Sequence, residues 1–174
     1  MLTLILGGAR SGKSALAERI ATDSAREVVY VATGQAFDEE MAARIAHHRA
    51  RRPASWRSVE EPLALAATLR AHAATDGLLL VDCLTLWLSN LLGADDTGER
   101  LVAERAALFD VLPDIPGDVL FVSNEVGLGI TPLGELTRRF VDEAGRLHQA
   151  LAARCDRVVF VAAGLPMTLK GTPP

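Results

Sequence analysis

The sequence predicts an α/β fold in which helices flank a mostly parallel central sheet. Short apolar runs typical of buried strands alternate with longer stretches that are rich in alanine and leucine and carry charges at helical spacing. Strands that alternate with helices usually form a parallel sheet with both faces covered. The chain has 174 residues, enough for one core, so we expect a single domain over residues 1–174.

Five apolar runs are predicted to be strands: residues 2–6, 28–32, 78–81, 119–122 and 158–162. Five stretches are predicted to be helices: residues 14–24, 38–49, 62–74, 99–111 and 133–154. The glycine- and aspartate-rich residues 93–98 indicate a surface loop, and residues 114–117 indicate a turn. Residues 164–174 end in Gly-Thr-Pro-Pro and are expected to form a mobile tail without a further regular element.

Charge and composition narrow the class of partner. The net charge of -4 and the pI of about 5.6 leave no excess of positive charge for nucleic acid or an anionic membrane, so we expect a small soluble partner. The apolar run at residues 2–6 is too short for a membrane span and follows no basic leader, and we expect a cytoplasmic protein. Cys83 and Cys155 are too few for a disulfide framework and lack metal-binding spacing.

A phosphate-binding motif follows the first predicted strand. Residues 7–14 read Gly-Gly-Ala-Arg-Ser-Gly-Lys-Ser, which matches GxxxxGK[ST] and opens a predicted helix. Glycines let the backbone N–H groups wrap around phosphate, the lysine reaches the terminal phosphates, and the serine hydroxyl can hold Mg²⁺. The sequence therefore predicts a P-loop NTPase of the RecA-like type, with a phosphate site made of Gly7, Gly8, Ala9, Arg10, Ser11, Gly12, Lys13 and Ser14.

A carboxylate stands where a second P-loop signature is expected. Asp82 follows the predicted strand 78–81, so it would lie at the carboxyl edge of the sheet, beside Mg²⁺ and Ser14. The alternative is an aspartate that caps a helix or closes a turn. The loop at residues 124–127 follows the next predicted strand at the same edge, where it is either a ligand loop or a structural turn.

The predicted helix at residues 38–49 carries two histidines near its end. His48 falls on the same stripe as Met41, Arg44 and Ile45, whereas His47 points about 100° away. Spacing alone does not separate a catalytic His48 from a solvated or capping one. The arginines that follow, Arg49, Arg51 and Arg52, are either a solvated face or a phosphate clamp. His72 and His148 lie in ordinary helical stretches and receive no role.

Several strings resemble one family in order along the chain. They are the motif at residues 7–14, Tyr-Val-Ala-Thr-Gly-Gln at 30–35, Asp-Glu-Glu-Met-Ala-Ala-Arg-Ile-Ala-His-His-Arg at 38–49, Arg-Pro-Ala-Ser-Trp-Arg at 52–57, Asn-Glu-Val-Gly-Leu-Gly-Ile at 124–130 and Ala-Gly-Arg-Leu-His-Gln-Ala-Leu at 144–151. Together they resemble the bifunctional adenosylcobinamide kinase / adenosylcobinamide-phosphate guanylyltransferase family of cobalamin biosynthesis.

The resemblance implies two transfers at one P-loop. The first phosphorylates adenosylcobinamide with ATP or GTP as substrate; the second moves GMP from GTP through a guanylyl-histidine onto adenosylcobinamide phosphate, giving adenosylcobinamide-GDP and pyrophosphate. His48 would be the guanylylated residue, Lys13 would act in catalysis, and Mg²⁺ would be bound by Ser14 and Asp82. The resemblance also implies a homotrimer. It extends the nucleotide site to Thr33, Gly34, Gln35, Arg49, Ala50, Arg51, Arg52, Glu60 and Asp82.

Two other classes fit part of the pattern. A P-loop small-molecule kinase without guanylyl transfer needs only the phosphate loop and Asp82, and His48 with its arginines would distinguish the two. A non-enzymatic nucleotide switch, or a RecA-like ATPase that binds nucleic acid, also fits the alternating strands and helices. The acidic pI counts against nucleic acid. The sequence reveals no general base for the kinase step.

Overall fold

The central feature of the protein is a seven-stranded sheet. The computed structural model describes the backbone of residues 1–36, 38–95 and 97–174, and every side chain there except those of Arg44, His47, His48 and Arg51. The strand order is β3-β2-β4-β5-β1-β6-β7. In chain order the strands are β1 Leu2–Gly7, β2 Glu27–Ala32, β3 Arg57–Glu60, β4 Gly77–Asp82, β5 Asp118–Asn124, β6 Arg157–Ala162 and β7 Leu165–Lys170.

Six α-helices within the described residues connect these strands. They are α1 Lys13–Asp23, α2 Glu39–Arg51, α3 Leu65–His72, α4 Leu84–Ala94, α5 Glu99–Val111 and α6 Glu135–Arg154, with a short 3-10 helix at Leu112–Asp114. β1 to β6 pair in parallel, and β7 is antiparallel to β6. The mostly parallel sheet flanked by helices confirms the predicted fold class.

The core has two halves, one on each face of the sheet. On one face α1 packs Leu16, Ala17 and Ala21 against inward residues of the strands, including Ile5 and Tyr30. The other face is covered by α3 to α6 around the fully buried Trp87. The strands β1, β2, β4, β5 and β6 therefore bury side chains on both faces, which is why their apolar runs are continuous rather than alternating. None of the helices within the described ranges is both long and apolar enough to cross a membrane.

Helix α4 and strand β3 were not predicted from the sequence. Helix α4 follows β4 with only Cys83 between them, and no capping side chain marks its start. Strand β3 is short and mostly exposed, and it lies at the edge of the sheet beside β2. Its four residues carry no apolar periodicity.

The prediction that residues 164–174 lack a regular element is wrong. Ala163 and Gly164 both adopt positive φ angles, 52° and 80°, which is the backbone of a tight hairpin turn. The turn folds the following residues back onto β6 as β7, with Ala162 opposite Leu165. All six residues of β7 are exposed, and Pro166 is tolerated because the strand lies at the sheet edge.

Candidate nucleotide-binding site

The candidate site lies where parallel strands end together. β5 lies between β1 and β4, and the register places Gly7 beside Asn124 on one side and Val161 on the other. Asp82 pairs with Val122 at the end of β4. Because the carboxyl ends of these strands share one edge, the P-loop, Asp82 and the loop after β5 meet there.

The P-loop leaves β1 and turns into α1 around tight glycines. A Cβ atom on Gly7 would lie 2.5 Å from both Ser11 Oγ and the Val161 carbonyl oxygen, so only glycine fits. Gly12 has a φ of 97°, and the Leu16 amide closes the first turn of α1 on the Gly12 carbonyl at 2.9 Å. Ser11 Oγ is buried and has no hydrogen-bond partner within the described residues, so it can meet a phosphate oxygen.

The turn between β6 and β7 supports this loop from outside. The Gly164 amide donates to the Ser11 carbonyl at 2.8 Å. A Cβ atom on Gly12 would lie 3.1 Å from Gly164 Cα, so the two backbones are in close contact. The phosphate loop near the start of the chain is therefore packed against the β6–β7 turn near its end.

Lys13 begins α1 with its side chain only 8% exposed. Its Nζ donates to the Gly8 carbonyl at 3.2 Å, across the mouth of the loop. Burial lowers the pKa of Lys13, while the nearby Cys83 and Asp82 oppose that shift. A buried ammonium group at the phosphate loop is suited to bind the terminal phosphates of a nucleotide.

Asp82 is oriented by an aromatic side chain that the sequence did not single out. The Tyr30 hydroxyl donates to Asp82 Oδ2 at 3.0 Å, and the Arg52 guanidinium lies 3.5 Å from the centre of the Tyr30 ring. Burial, together with Asp82, raises the pKa of Tyr30, which keeps the hydroxyl protonated as a donor. The N-cap of α4 is Cys83, so Asp82 is not the residue that caps this helix.

Thr33 and Gly34 are packed inside the site edge. Thr33 is fully buried, its hydroxyl donates to the Cys83 carbonyl at 2.7 Å, and it accepts the Cys83 amide at 2.9 Å. Gly34 leaves room for neighbouring helices, since a Cβ there would lie 3.1 Å from Leu86 Cδ1. Gln35 is exposed. The first two residues therefore shape the edge, and Gln35 is available to solvent or ligand.

Helix α2 carries the second group of predicted residues. The Asp38 side chain caps the helix by accepting the Met41 amide at 2.7 Å. Arg49 forms an ion pair with Glu60 at the end of β3, and Ala50 is exposed. His48 and Arg51 belong to α2 by their backbone, and the predictions for their side chains lie outside the described part of the chain.

Sequence reasoning missed two sets of polar residues at this edge. Tyr30 lay inside an apolar run and was counted with the strand. Ser123, Glu125 and His148 form a cluster at the end of β5; the sequence indicated the loop at residues 124–127 as either a ligand loop or a structural turn and gave Glu125 no role of its own. His148 is 25 residues from Ser123 along the chain, so only folding brings it there.

The glycine loop opening α1, the buried lysine and the aspartate two strands away define a P-loop nucleotide-binding protein. The RadB recombinase has a similar fold, with a TM-score of 0.54 and 20% identity over 91% of this chain and 73% of that one. The chain belongs to the cobinamide kinase / cobinamide phosphate guanyltransferase family, whose profile matches residues 3–169.

Two relatives show how fully the chain matches this family. It is 65% identical to the bifunctional adenosylcobalamin biosynthesis protein CobP of Pseudomonas aeruginosa, over 99% of both chains. It is 42% identical to the bifunctional adenosylcobalamin biosynthesis protein CobU of Salmonella typhimurium, over 98% of this chain and all of that one. The similarity therefore includes both the P-loop and the α2 segment.

Proposed function

We propose that this protein is a bifunctional enzyme of cobalamin biosynthesis. It phosphorylates adenosylcobinamide with ATP or GTP, and it then transfers GMP from GTP through a guanylyl-histidine to adenosylcobinamide phosphate, releasing pyrophosphate. The observation that carries this proposal is the 65% identity to a bifunctional relative along nearly the whole chain, with the P-loop intact at the sheet edge. Membership of the family supports the same pair of reactions.

The kinase step depends on holding a triphosphate in one position. The P-loop amides and the Lys13 ammonium would bind the phosphates, and Ser11 Oγ adds a buried polar atom that needs a partner. Ser14 and Asp82 would hold Mg²⁺, because a hydroxyl and a carboxylate are the hard oxygen donors this ion prefers. Tyr30 would support Asp82 in that role, because its hydroxyl donates to Asp82 Oδ2. When bound, the metal neutralises charge on the transferring phosphates.

The guanylyl step depends on α2. His48 would attack the α-phosphorus of GTP with a neutral imidazole nitrogen, forming the P–N bond as the bond to pyrophosphate breaks. Arg49, Arg51 and Arg52 would stabilise charge on the attacked phosphate and the leaving group, with Glu60 orienting Arg49 through their ion pair. Thr33, Gly34 and Gln35 would complete the wall of the site between β2 and α2.

The proposal includes a cytoplasmic homotrimer with a single domain per chain. Exposed apolar side chains support an assembly: Ile130 is 97% exposed and Leu133 is 98% exposed between β5 and α6, and Leu165, Met167 and Leu169 are exposed on β7. Cys83 and Cys155 are buried free thiols, as expected in a reducing compartment. Light scattering coupled to gel filtration measures the mass, and a monomer at micromolar concentration would overturn the trimer.

Covalent labelling tests the two-step function directly. The purified protein is incubated with Mg²⁺ and GTP labelled at the α-phosphate, and acid-labile, alkali-stable label is mapped after denaturing electrophoresis. We expect label on His48. His48→Ala should abolish labelling and retain adenosylcobinamide phosphorylation, whereas Lys13→Ala should reduce both activities because both need the triphosphate held.

His72→Ala is the matched control, since His72 lies on α3 away from the predicted site residues. Labelling that persists in His48→Ala would overturn the assignment of the nucleophile. If active wild-type protein takes no label but still phosphorylates adenosylcobinamide, the protein is a P-loop kinase without guanylyl transfer. Nucleotide binding without either transfer would instead indicate a switch.

A further inference from the structure

A polar cluster lies at the carboxyl end of β5, beside the phosphate loop. It consists of Ser123, the last strand residue but one, Glu125 just after the strand, and His148 of α6. Ser123 Oγ lies 2.7 Å from His148 Nε2, and His148 Nδ1 lies 3.7 Å from Glu125 Oε2. The three side chains thus form a chain of contacts that leads from the core to the site edge.

Burial favours the neutral form of the histidine at the centre of this cluster. His148 is buried in the α6 face of the sheet, and burial lowers its pKa, while Glu125 opposes that shift. We assign the ring proton to Nδ1, which faces the carboxylate, so that Nε2 accepts the hydrogen bond from the Ser123 hydroxyl. The imidazole thus lies between a buried serine and one oxygen of Glu125, and within the described residues only the serine is at hydrogen-bond distance, since the buried Nδ1 has no partner.

The order serine, histidine and carboxylate matches that of a hydrolytic triad, but the burial does not. Ser123 is 0% exposed, so no substrate carbonyl or phosphate reaches its hydroxyl. The Glu125 side chain is 22% exposed and is therefore the member of the cluster that a substrate can reach. Glu125 is thus the exposed end of the cluster, and His148 and Ser123 are the buried residues next to it.

The backbone fixes Glu125 next to the P-loop. Its amide donates to the Gly7 carbonyl at 3.0 Å, one residue beyond the register pair of Gly7 and Asn124. Its Oε1 accepts the Gly127 amide at 2.6 Å, while Oε2 faces His148. One carboxylate oxygen is therefore held by a hydrogen bond while the other remains free to accept a proton, and the backbone of Glu125 is bonded to the first residue of the phosphate loop.

We propose that Glu125 is the general base of the phosphoryl transfer and that His148 is its positioning residue. As the hydroxyl oxygen of the acceptor alcohol bonds to the γ-phosphorus, its O–H bond breaks and the proton passes to the Glu125 carboxylate. The bond from the γ-phosphorus to the bridging oxygen breaks, and the nucleoside diphosphate leaves with that electron pair. This assignment rests on the proposed function and supplies a base that the guanylyl step does not need.

The requirement for only one of the two transfers makes the assignment testable. Glu125→Gln keeps the size and the Gly127 contact but removes the basic oxygen. The steady-state kcat and KM for adenosylcobinamide phosphorylation by ATP are measured beside guanylyl labelling by α-labelled GTP. We expect kcat for phosphorylation to fall about 100-fold or more, the range for loss of a general base. The KM for ATP should stay within about threefold of the wild-type value. The ratio of kinase activity to labelling activity should fall by the same factor as kcat.

Glu135→Gln is the matched control, because Glu135 is exposed in the first turn of α6. It should leave the ratio unchanged. A Glu125→Gln enzyme with kcat within fivefold of wild type would overturn the base assignment while leaving the proposed function standing. A parallel loss of both activities would also overturn it, because it would indicate a structural role. Wild-type protein that fails to phosphorylate adenosylcobinamide would instead sink the proposed function itself.

His148 is tested by two variants of different chemistry. His148→Asn keeps an N–H donor near the Nδ1 position, whereas His148→Leu fills the space without a donor. We expect kcat to fall in the order wild type, Asn, Leu, with KM for ATP unchanged, since the change acts through Glu125. Equal kcat values for Asn and Leu would overturn the positioning role. If the Leu variant fails to fold, Ser123→Ala is tested in its place, and we expect the same reduction in kcat. An unchanged kcat in Ser123→Ala would count against the positioning role.

Discussion

At the scale of single residues, the site edge depends on Thr33 as a link between two strands. Its hydroxyl both donates to the carbonyl and accepts the amide of Cys83, at 2.7 and 2.9 Å, just beyond β4. Its own carbonyl accepts Asn90 Nδ2 of α4 at 2.7 Å. Thr33 therefore fixes the backbone that directly follows Asp82. The position of Asp82, the candidate Mg²⁺ ligand, thus depends on the buried Thr33.

Replacing Thr33 by valine should destabilise the protein by about 2–3 kcal/mol, because the Cys83 amide would lose its acceptor in the core. The Cys83 carbonyl would keep only its bond from the Trp87 amide, at 3.2 Å. The melting temperature should fall by about 5–10 °C for a chain of this size. Thr33→Ser should restore most of the loss. Differential scanning calorimetry measures the change, with Thr22→Val as control, since Thr22 bonds the Glu18 carbonyl on an exposed turn of α1. Equal losses at the two positions would contradict the bridging role.

Single residues also mark where sequence reasoning stops. The positions of Gly7, Gly12, Lys13 and Asp82 at the sheet edge could be predicted, since each belongs to a local motif or to a strand end. Tyr30 could not, because an aromatic residue in an apolar run looks like core until the fold places its hydroxyl 3.0 Å from Asp82. The contact of His148 with Ser123 likewise joins α6 to β5, a distance along the chain that no spacing rule spans.

At the scale of elements, the hairpin of β6 and β7 supports the P-loop. The Gly164 amide in its turn bonds the Ser11 carbonyl at 2.8 Å, and Gly164 Cα lies close to Gly12. This contact depends on the positive φ angles of Ala163 and Gly164. The sequence placed β6 correctly from its apolar run but not β7, whose residues are all exposed, so burial periodicity carried no signal for it.

Deleting residues 165–174 should weaken both the fold and the phosphate site. The deletion removes the pairing of β7 with β6 and frees the turn that holds Ser11. We expect a loss of about 2–3 kcal/mol, or about 5–10 °C in melting temperature, and a roughly tenfold weaker Kd for GTP. Calorimetry and titration with GTP measure the two effects.

The shorter deletion of residues 171–174 is the control for the hairpin, because it removes only exposed residues beyond β7. It should change the melting temperature by less than about 2 °C and leave the Kd for GTP unchanged. Should the long deletion bind GTP as tightly as the full chain, the turn would have no part in supporting the loop.

At the scale of the whole molecule, stability and function oppose each other at the P-loop. Parallel strands gather the phosphate loop, Lys13 and Asp82 at one edge, where a charged amine is buried to 8% exposure. Burial disfavours the charged form and lowers the pKa of Lys13, so the nucleotide-free fold is penalised for a charge that ligand binding uses. Sites of this kind are commonly stabilised by mutations that remove their activity.

Lys13→Met should therefore stabilise the nucleotide-free protein by about 0.5–2 kcal/mol at pH 7.5 and abolish both transfers. The folded-state pKa of Lys13 lies below its ordinary value of 10.5, so between the two values the unfolded chain binds more protons than the folded one. Wild-type stability then rises with pH across that window, and the advantage of the variant should shrink toward pH 10.5. Urea unfolding of both proteins over this pH range measures the difference.

Lys170→Met serves as the control, because Lys170 is exposed and its Nζ binds the carbonyls of Ala152 and Ala153. A Lys13→Met protein less stable than wild type at pH 7.5 would show that the contact of Nζ with Gly8 outweighs the cost of burying the charge.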